Sequence, residues 1–410
     1  MNILDFPPEI FQEIMHELVS ASGVGEAWKL RQVCHEFRSL ELDRKILLLN
    51  RLKRPLNANP DFLAKIHQML GFLKEELGTE SPAQFKVLTE ELCKSLSISV
   101  GSFTLFVALC GRNGLTQLGK ALDLSQKLIA AISVNARDLV RRLLPLLSAE
   151  AIKPCIACIF DDPLTVAVNQ GNRKMVRTIL RGLQDMGIER CSPAELDRAS
   201  MHGFDVAFAI HRAIRCADFH VFETLVDFFS EHFPPAKKMQ YNRWLMASCG
   251  VQDTRILQCI LELEFRGRVR IDRKVLVAVT LFGRLQHMKT LLGCVDFDVK
   301  KTYADTSPLI SAVRGGNVDV VAALLDAGAD VNTAINYRGR QISAMSAAIR
   351  YAHESRYRAI VGLLLKRGAD LPELSEWKKT QGRFSKLRKL LERAKTKRRL
   401  QNRKLRKSSS

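Results

Sequence analysis

Residues 306 to 332 read TSPLISAVRGGNVDVVAALLDAGADVN, two short apolar helical stretches joined by a glycine pair and closed by a further glycine. Each position has a mechanical reason. Ser307 can cap the first stretch, and Pro308 takes its first helical position, where the missing N–H costs nothing. Gly316 suits a positive-φ connection between antiparallel helices, and Gly328 suits the end of the second. Ala312 permits close helix approach, while Leu324 and Leu325 fill the space toward neighbouring units. A helix pair this short cannot bury its apolar side alone, so like units must stack on it.

The same grammar, a short Ala-containing helix followed by an aliphatic pair, recurs at 127–144, 162–180, 209–229, 243–261 and 274–293. It returns in split form as ISAMSAAI at 342–349 with AIVGLLLKRGADL at 359–371. The second-helix anchors Leu143, Ile179, Leu225, Ile260, Leu291, Leu324 and Leu364 are separated by 36, 46, 35, 31, 33 and 40 residues. Pro163-Leu164 and Gly171-Asn172 repeat the turn wording of the strongest copy. Over 127–292 a generic helical bundle with recurring hairpins is the competing reading. In the last copy Gly316 has no counterpart, and the interval from Ala348 to Leu363 is four residues longer than from Ala312 to Ala323.

These residues resemble the ankyrin repeat: Ser307-Pro308-Leu309 for its Thr-Pro-Leu turn, then Ala312, Gly316-Asn317, Val320-Val321, Leu324-Leu325 and Gly328-Ala329-Asp330-Val331-Asn332. The resemblance implies about seven partly degenerate repeats over 127–371, clearest at 303–335 and 336–371, since the family period is about 33 residues. It also implies a concave surface of first helices and hairpin tips that holds a protein partner. On that geometry Ile310, Ser311, Arg314, Asn332, Asn336 and Arg338 are expected to face the partner.

Ahead of the repeats, FPPEIFQEIMHELV at 6–19 and KLRQVCHEF at 29–37 form a second organised segment. Ile10, Ile14 and Leu18 recur at i, i+4 and i+8 and share one helical face. Residues 4–40 resemble an F-box, the short motif by which substrate adaptors dock onto the linker subunit of SCF-type ubiquitin ligases. Phe6, Pro7, Pro8, Glu9 and Ile10 stand for its Leu-Pro-x-Glu-Leu entry, Ile14 and Leu18 for the first helix, and Leu30, Val33, Cys34 and Phe37 for its closing positions. Phe6 and Phe37 depart from the usual wording, and the interval between Leu18 and Val33 is longer than usual. The resemblance implies docking to that linker subunit; the competing reading makes these helices a structural cap on residues 41–110. An N-terminal F-box followed by ankyrin repeats resembles an architecture common in filamentous fungi.

The chain has 410 residues, 47% of them apolar, and a formal net charge of +20. The charge is concentrated: residues 378–410 hold 15 Lys or Arg against one acid, Glu392. Phe384, Leu387, Leu390, Leu391 and Ala394 fall on one side of an amphipathic helix that can cap the last repeat. Beyond it, Lys397, Arg398, Arg399, Arg403, Lys404, Arg406 and Lys407 form two basic clusters compatible with nuclear import. No groove-reading or aromatic-interleaved motif accompanies them, so nucleic acid is not the expected partner.

Other chemistry is weakly represented. The first helical stretch carries Glu9, Glu13 and Glu17 where a secretory signal is apolar, and no uncharged run reaches spanning length, so an intracellular protein in nucleus or cytoplasm is expected. The ten cysteines are scattered and mostly flanked by aliphatic residues. Cys155 and Cys158 form one C-x-x-C without a second pair, so no metal site is expected. Phosphate-loop, zinc-protease and nucleophile-elbow motifs are absent. The sequence therefore reads as an all-α, non-catalytic interaction protein without cofactor: an F-box-like module at 1–45, a helical linker or degenerate repeat at 46–126, an ankyrin solenoid at 127–371 and a basic helix and tail at 378–410. It is expected to act as a monomer within a complex, joining the linker subunit to a target protein whose identity the residues do not specify. An ankyrin scaffold or nuclear interaction protein without a ubiquitin-ligase role is the alternative.

Overall fold

The computed structural model describes residues 60–99, 121–148, 162–187, 199–201, 204–263, 273–282, 284–294, 297–303, 305–337, 339–352, 354–371, 389 and 391–396. The F-box-like residues between Phe6 and Phe37, the Cys155/Cys158 pair, Arg338, and the basic clusters from Lys397 to Lys407 lie outside the described residues. The chain divides into two compact units, with the boundary between Pro234 and Pro235.

The first unit opens with two long helices, α1 (Pro60–Leu77) and α2 (Pro82–Ser99). Ile66, Met69, Leu70 and Leu73 on α1 are buried, as their shared face requires, but Leu77 at the helix end is 41% exposed. Three short helix pairs follow: α3 (Leu124–Ser133) with α4 (Arg137–Leu143), α5 (Pro163–Asn169) with α6 (Arg173–Met186), and α7 (Val206–Cys216) with α8 (Phe219–His232). A 3-10 turn, Leu144–Ser148, continues α4. First helices α3, α5 and α7 pack side by side, and second helices α4, α6 and α8 do likewise, with α1 and α2 both against α3.

The second unit repeats this plan four times. Its pairs are α9 (Lys238–Cys249) with α10 (Thr254–Glu262), α11 (Arg273–Phe282) with α12 (Leu285–Leu292), α13 (Pro308–Gly315) with α14 (Val318–Asp326), and α15 (Ala344–Arg350) with α16 (Ser355–Lys366). Here too the first helices form one layer and the second helices another.

One local code builds most of these hairpins. A small residue near the end of the first helix, Ala131, Ala167, Ala213, Ser248, Ala312 or Ala348, is fully buried and lets the next helix approach. In four pairs a left-handed residue then reverses the chain: Asn135 (φ 57°), Gly171 (φ 64°), Ala217 (φ 57°) and Gly316 (φ 72°). In three of these pairs the next residue caps the second helix, with Asn172 accepting from Met175 N at 3.1 Å, Asp218 from Val221 N at 3.0 Å and Asn317 from Val320 N at 3.2 Å. Such caps are worth about 1 kcal/mol each, but packing supplies more. The anchors Ile179, Leu225, Ile260, Leu291, Leu324 and Leu364 have no exposed surface, and each buried aliphatic side chain contributes roughly 1.5 to 3 kcal/mol.

The expectation of an all-α chain needs one amendment. Two antiparallel two-stranded hairpins connect helix pairs, β1 (Ser200–Met201) with β2 (Phe204–Asp205), and β3 (Ala334–Tyr337) with β4 (Arg340–Ser343). In the larger one Tyr337 pairs with Arg340, and Gly339 at φ 72° takes a turn conformation that strains other residues. Helical period is the wrong signal for these segments, which each bury a single apolar side chain, Phe204 in the smaller and Ile335 in the larger.

Cysteine chemistry follows burial. Cys93 and Cys249 are buried, and loss of water pushes the Cys249 thiol up to about 12, so it packs as a neutral group. Among the described residues no helix is long and apolar enough to cross a membrane, and no three His, Cys, Asp or Glu side chains converge as metal ligands.

Candidate partner-binding surface

The strongest repeat is assembled from its motif residues. Ser307 Oγ accepts from Ile310 N at 3.2 Å, and Pro308 occupies the first turn of α13. A Cβ on Gly316 would sit 3.0 Å from side-chain atoms of Arg356 and Tyr357, so the glycine answers both to its φ and to its neighbours. After α14, Asp330 Oδ1 accepts from Asn332 N at 2.9 Å and turns the chain toward β3. Strand β4 ends directly in α15, because Ser343 caps that helix by accepting from Ser346 N at 3.1 Å.

The structure sorts the expected partner-facing residues. Ile310 is fully buried and Ser311 is 3% exposed, so neither side chain is available to a partner. The reason is lateral packing: α13 lies between α11 and α15, and the Ser311 hydroxyl is hydrogen-bonded to Thr306 Oγ1. Arg314 is half-buried and donates from Nη1 to Asp305 O at 3.3 Å, while its own carbonyl accepts from Tyr357 OH at 2.9 Å. Asn332 is exposed, but its Oδ1 accepts from Asp370 N at 2.8 Å and ties two successive loops together. Asn336 is exposed on β3 opposite Gln341, which is exposed on β4.

A further cluster, at the α15–α16 turn of the next repeat, went unmarked by the motif residues. Tyr351 and Tyr357 have ring centroids 5.2 Å apart, and the Arg356 guanidinium lies 5.1 Å from the Tyr357 centroid while pairing with Glu354 at 2.6 Å. Burial pushes the Tyr357 phenol above its ordinary range, and Tyr351 remains 37% exposed. The signal was the longer last interval. Its extra residues lengthen the α15–α16 turn and extend α16 to 12 residues, against 9 in α14.

Between these elements one titratable group is wholly enclosed. His287 on α12 has no exposed surface, and neither ring nitrogen makes a hydrogen bond of good geometry among the described residues. Burial, with the Arg284 cation nearby, holds the imidazole below its ordinary pKa; the carbonyls of Ser248 and Val251 and the Asp253 carboxylate offset this only in part.

Residues 275–373 match the ankyrin repeat family in three copies. No curated protein matches the chain. Solved structures include the ankyrin repeat domain of human ASB11, 16% identical with a TM-score of 0.41 over 60% of this chain and 99% of that one. Another is the ankyrin repeat domain of Bcl-3, a member of the IκB family, 22% identical with a TM-score of 0.31 over 60% of this chain and 86% of that one. The family match spans three helix pairs of the second unit. Residues 275–373 therefore carry three ankyrin repeats, built as α11–α12, α13–α14 and α15–α16.

Proposed function

We propose that this chain is an adaptor: its ankyrin repeats hold a target protein, and its N-terminal residues couple that target to the linker subunit of an SCF-type ubiquitin ligase. Ankyrin repeats are protein-binding modules, which gives the chain a protein-interaction role. The observation that carries the target-binding half is the β3–β4 hairpin, which leaves Asn336 and Gln341 exposed between two shown repeats. A preformed surface of this kind lowers the ordering cost of association. The coupling half is supported by the wording of residues 6–37, with Pro7, Ile10, Ile14 and Val33 as the docking positions. On this reading the chain makes no bonds itself and works by proximity, in nucleus or cytoplasm, with the clusters Lys397 to Lys407 directing import.

The test is co-purification of the linker subunit with full-length protein, compared with a Pro7→Ala, Ile14→Asp variant of unchanged circular dichroism. Recovery with the parent and loss with the variant is the expected result. Absence of the linker subunit from both would remove the ligase role and leave an ankyrin scaffold.

A further inference from the structure

Each second helix places one buried side chain a helical turn before its anchor, four residues ahead in sequence. Leu139, Met175, Val221, Ile256, Val320 and Ile360 stand at that place, apolar in every case, and α12 has His287 there. The histidine is as fully enclosed as its counterparts. Helix α12 is also the least secured by its own ends. At eight residues it is the shortest second helix of its unit, and Arg284 at its N-cap makes no side-chain bond, whereas Asp253 and Asn317 cap α10 and α14. A titratable ring thus replaces an aliphatic contact in a helix with little local support.

The surroundings accept the neutral ring and leave the charged one uncompensated. A neutral imidazole carries one N–H and one bare nitrogen, while the imidazolium carries two N–H groups and a charge. The acceptors turned toward His287 are the carbonyls of Ser248 and Val251 in the α9–α10 turn, and that of Ser248 already accepts from Val251 N at 3.2 Å. Asp253 lies nearby, but its carboxylate accepts from Arg255 N at 3.0 Å and pairs with Arg255 Nη2 at 2.6 Å. Arg284, on the same helix, adds a like charge. The remaining elements offer no counter-ion. Lys238 and Arg243 of α9, Glu262 of α10, Lys289 of α12 and the α14 acids Asp319 and Asp326 are exposed, and the described side chains of α11, Val275 to Thr280, carry no charge. Cys249 of α9 is a neutral thiol, and Cys259 of α10 is half-buried.

We propose that α11–α12 is an acid-labile joint in the second unit: His287 takes a proton from solvent when α12 lifts from the α9–α10 turn, and the charged ring holds the joint open. The packed state excludes the imidazolium because a buried charge without a partner is costly, and opening restores its hydration. The six counterpart helices carry no group that can do this. Opening is local, since α12 needs only to leave its neighbours α10 and α14 for the ring to reach water. Any protein held across these repeats loses part of its surface when the joint opens, with or without the ligase role.

The test is native-state hydrogen exchange of the full-length chain, resolved by peptide and expressed as protection relative to the unstructured rate at each pH. One unit below the ordinary histidine pKa of about 6.5, a ring neutral when packed and free when opened favours opening by up to about tenfold. Protection of α11–α12 is expected to fall by about threefold to tenfold between about pH 7.5 and about pH 5.5, with a smaller fall in α13–α14, which packs on it, and none in α3–α6. His287→Val, the residue α14 has at this place, is expected to remove the pH response. His287→Gln keeps a buried polar group without a titrating proton, so it is expected to lower protection at both pH values and to remove the response as well. His353→Gln is expected to leave the response intact. A parent whose α11–α12 protection does not change with pH would overturn the proposal. So would a response that survives both His287 changes, follows His353, or is equally large in α3–α6.

Discussion

Helices α7 and α13 stand three repeat periods apart and share a turn, a cap and an anchor, yet one shows a partly open basic face and the other a closed apolar one. The shared features are local. A small residue, a left-handed residue and an Asx cap fix how a hairpin turns, whatever surrounds it. The difference is not local. Whether positions such as 211 or 310 meet solvent depends on the helices alongside, and α13 has α11 on one side and α15 on the other.

The largest expected effect tests the shared part. Leu324→Ala and Leu225→Ala each empty a fully buried anchor and should each cost about 2 to 5 kcal/mol in urea unfolding. A loss near zero at Leu225 would separate α7–α8 from the repeat plan.

The turn residues sharpen the comparison. Gly316→Ala must hold an alanine at φ 72° beside Arg356 and Tyr357 and is expected to cost about 1 to 2 kcal/mol. Ala217 already sits at φ 57° in the matching position, so Ala217→Gly is expected to stabilise by about 0.5 kcal/mol, strain relief exceeding the added freedom of the unfolded chain. Opposite signs at the two sites, read from thermal unfolding, are the signature of a common turn.

Two smaller effects distinguish the units. His287 is buried with its pKa lowered, so between its folded value and the unfolded value near 6.5 the unfolded chain binds more protons. The stability it contributes is complete above about pH 6.5 and is lost as pH falls through that window toward the folded pKa. Hydrogen exchange of α11–α14 should accelerate on acidification, and His287→Leu should flatten that response. In the first unit, Ala136 begins α4 without a side-chain cap, although its backbone (φ −80°, ψ 74°) nearly equals that of the capping Asn172 (φ −87°, ψ 79°). Ala136→Asn should add about 0.5 to 1 kcal/mol, and a neutral result in urea unfolding would mean the cap geometry is not shared.

Much of the fold was legible because its determinants are single residues at fixed spacing. Pro308, Gly316, Asn317 and Leu324 announce a hairpin wherever they fall together, and the aliphatic anchors carried the same reading into weaker copies. The candidate surface was less legible. Ile310 and Ser311 were expected to face a partner, but their burial is decided by lateral packing that no local pattern encodes. The Asn332 side chain is engaged by a backbone N–H 38 residues away, and the Tyr351–Tyr357–Arg356 cluster exists only once the α15–α16 turn is formed. The two strand pairs escaped a reading tuned to helical period.

The contrast between α7 and α13 can be measured directly by thiol labelling. In a Cys216→Ser background, a cysteine is introduced by Arg212→Cys in one protein and by Ser311→Cys in another, and maleimide modification of the native state is followed by peptide-resolved mass spectrometry. The expected result is rapid labelling at position 212 and protection at 311 until denaturant unfolds the repeat. Equal protection at both positions would contradict the difference in exposure between the two helices.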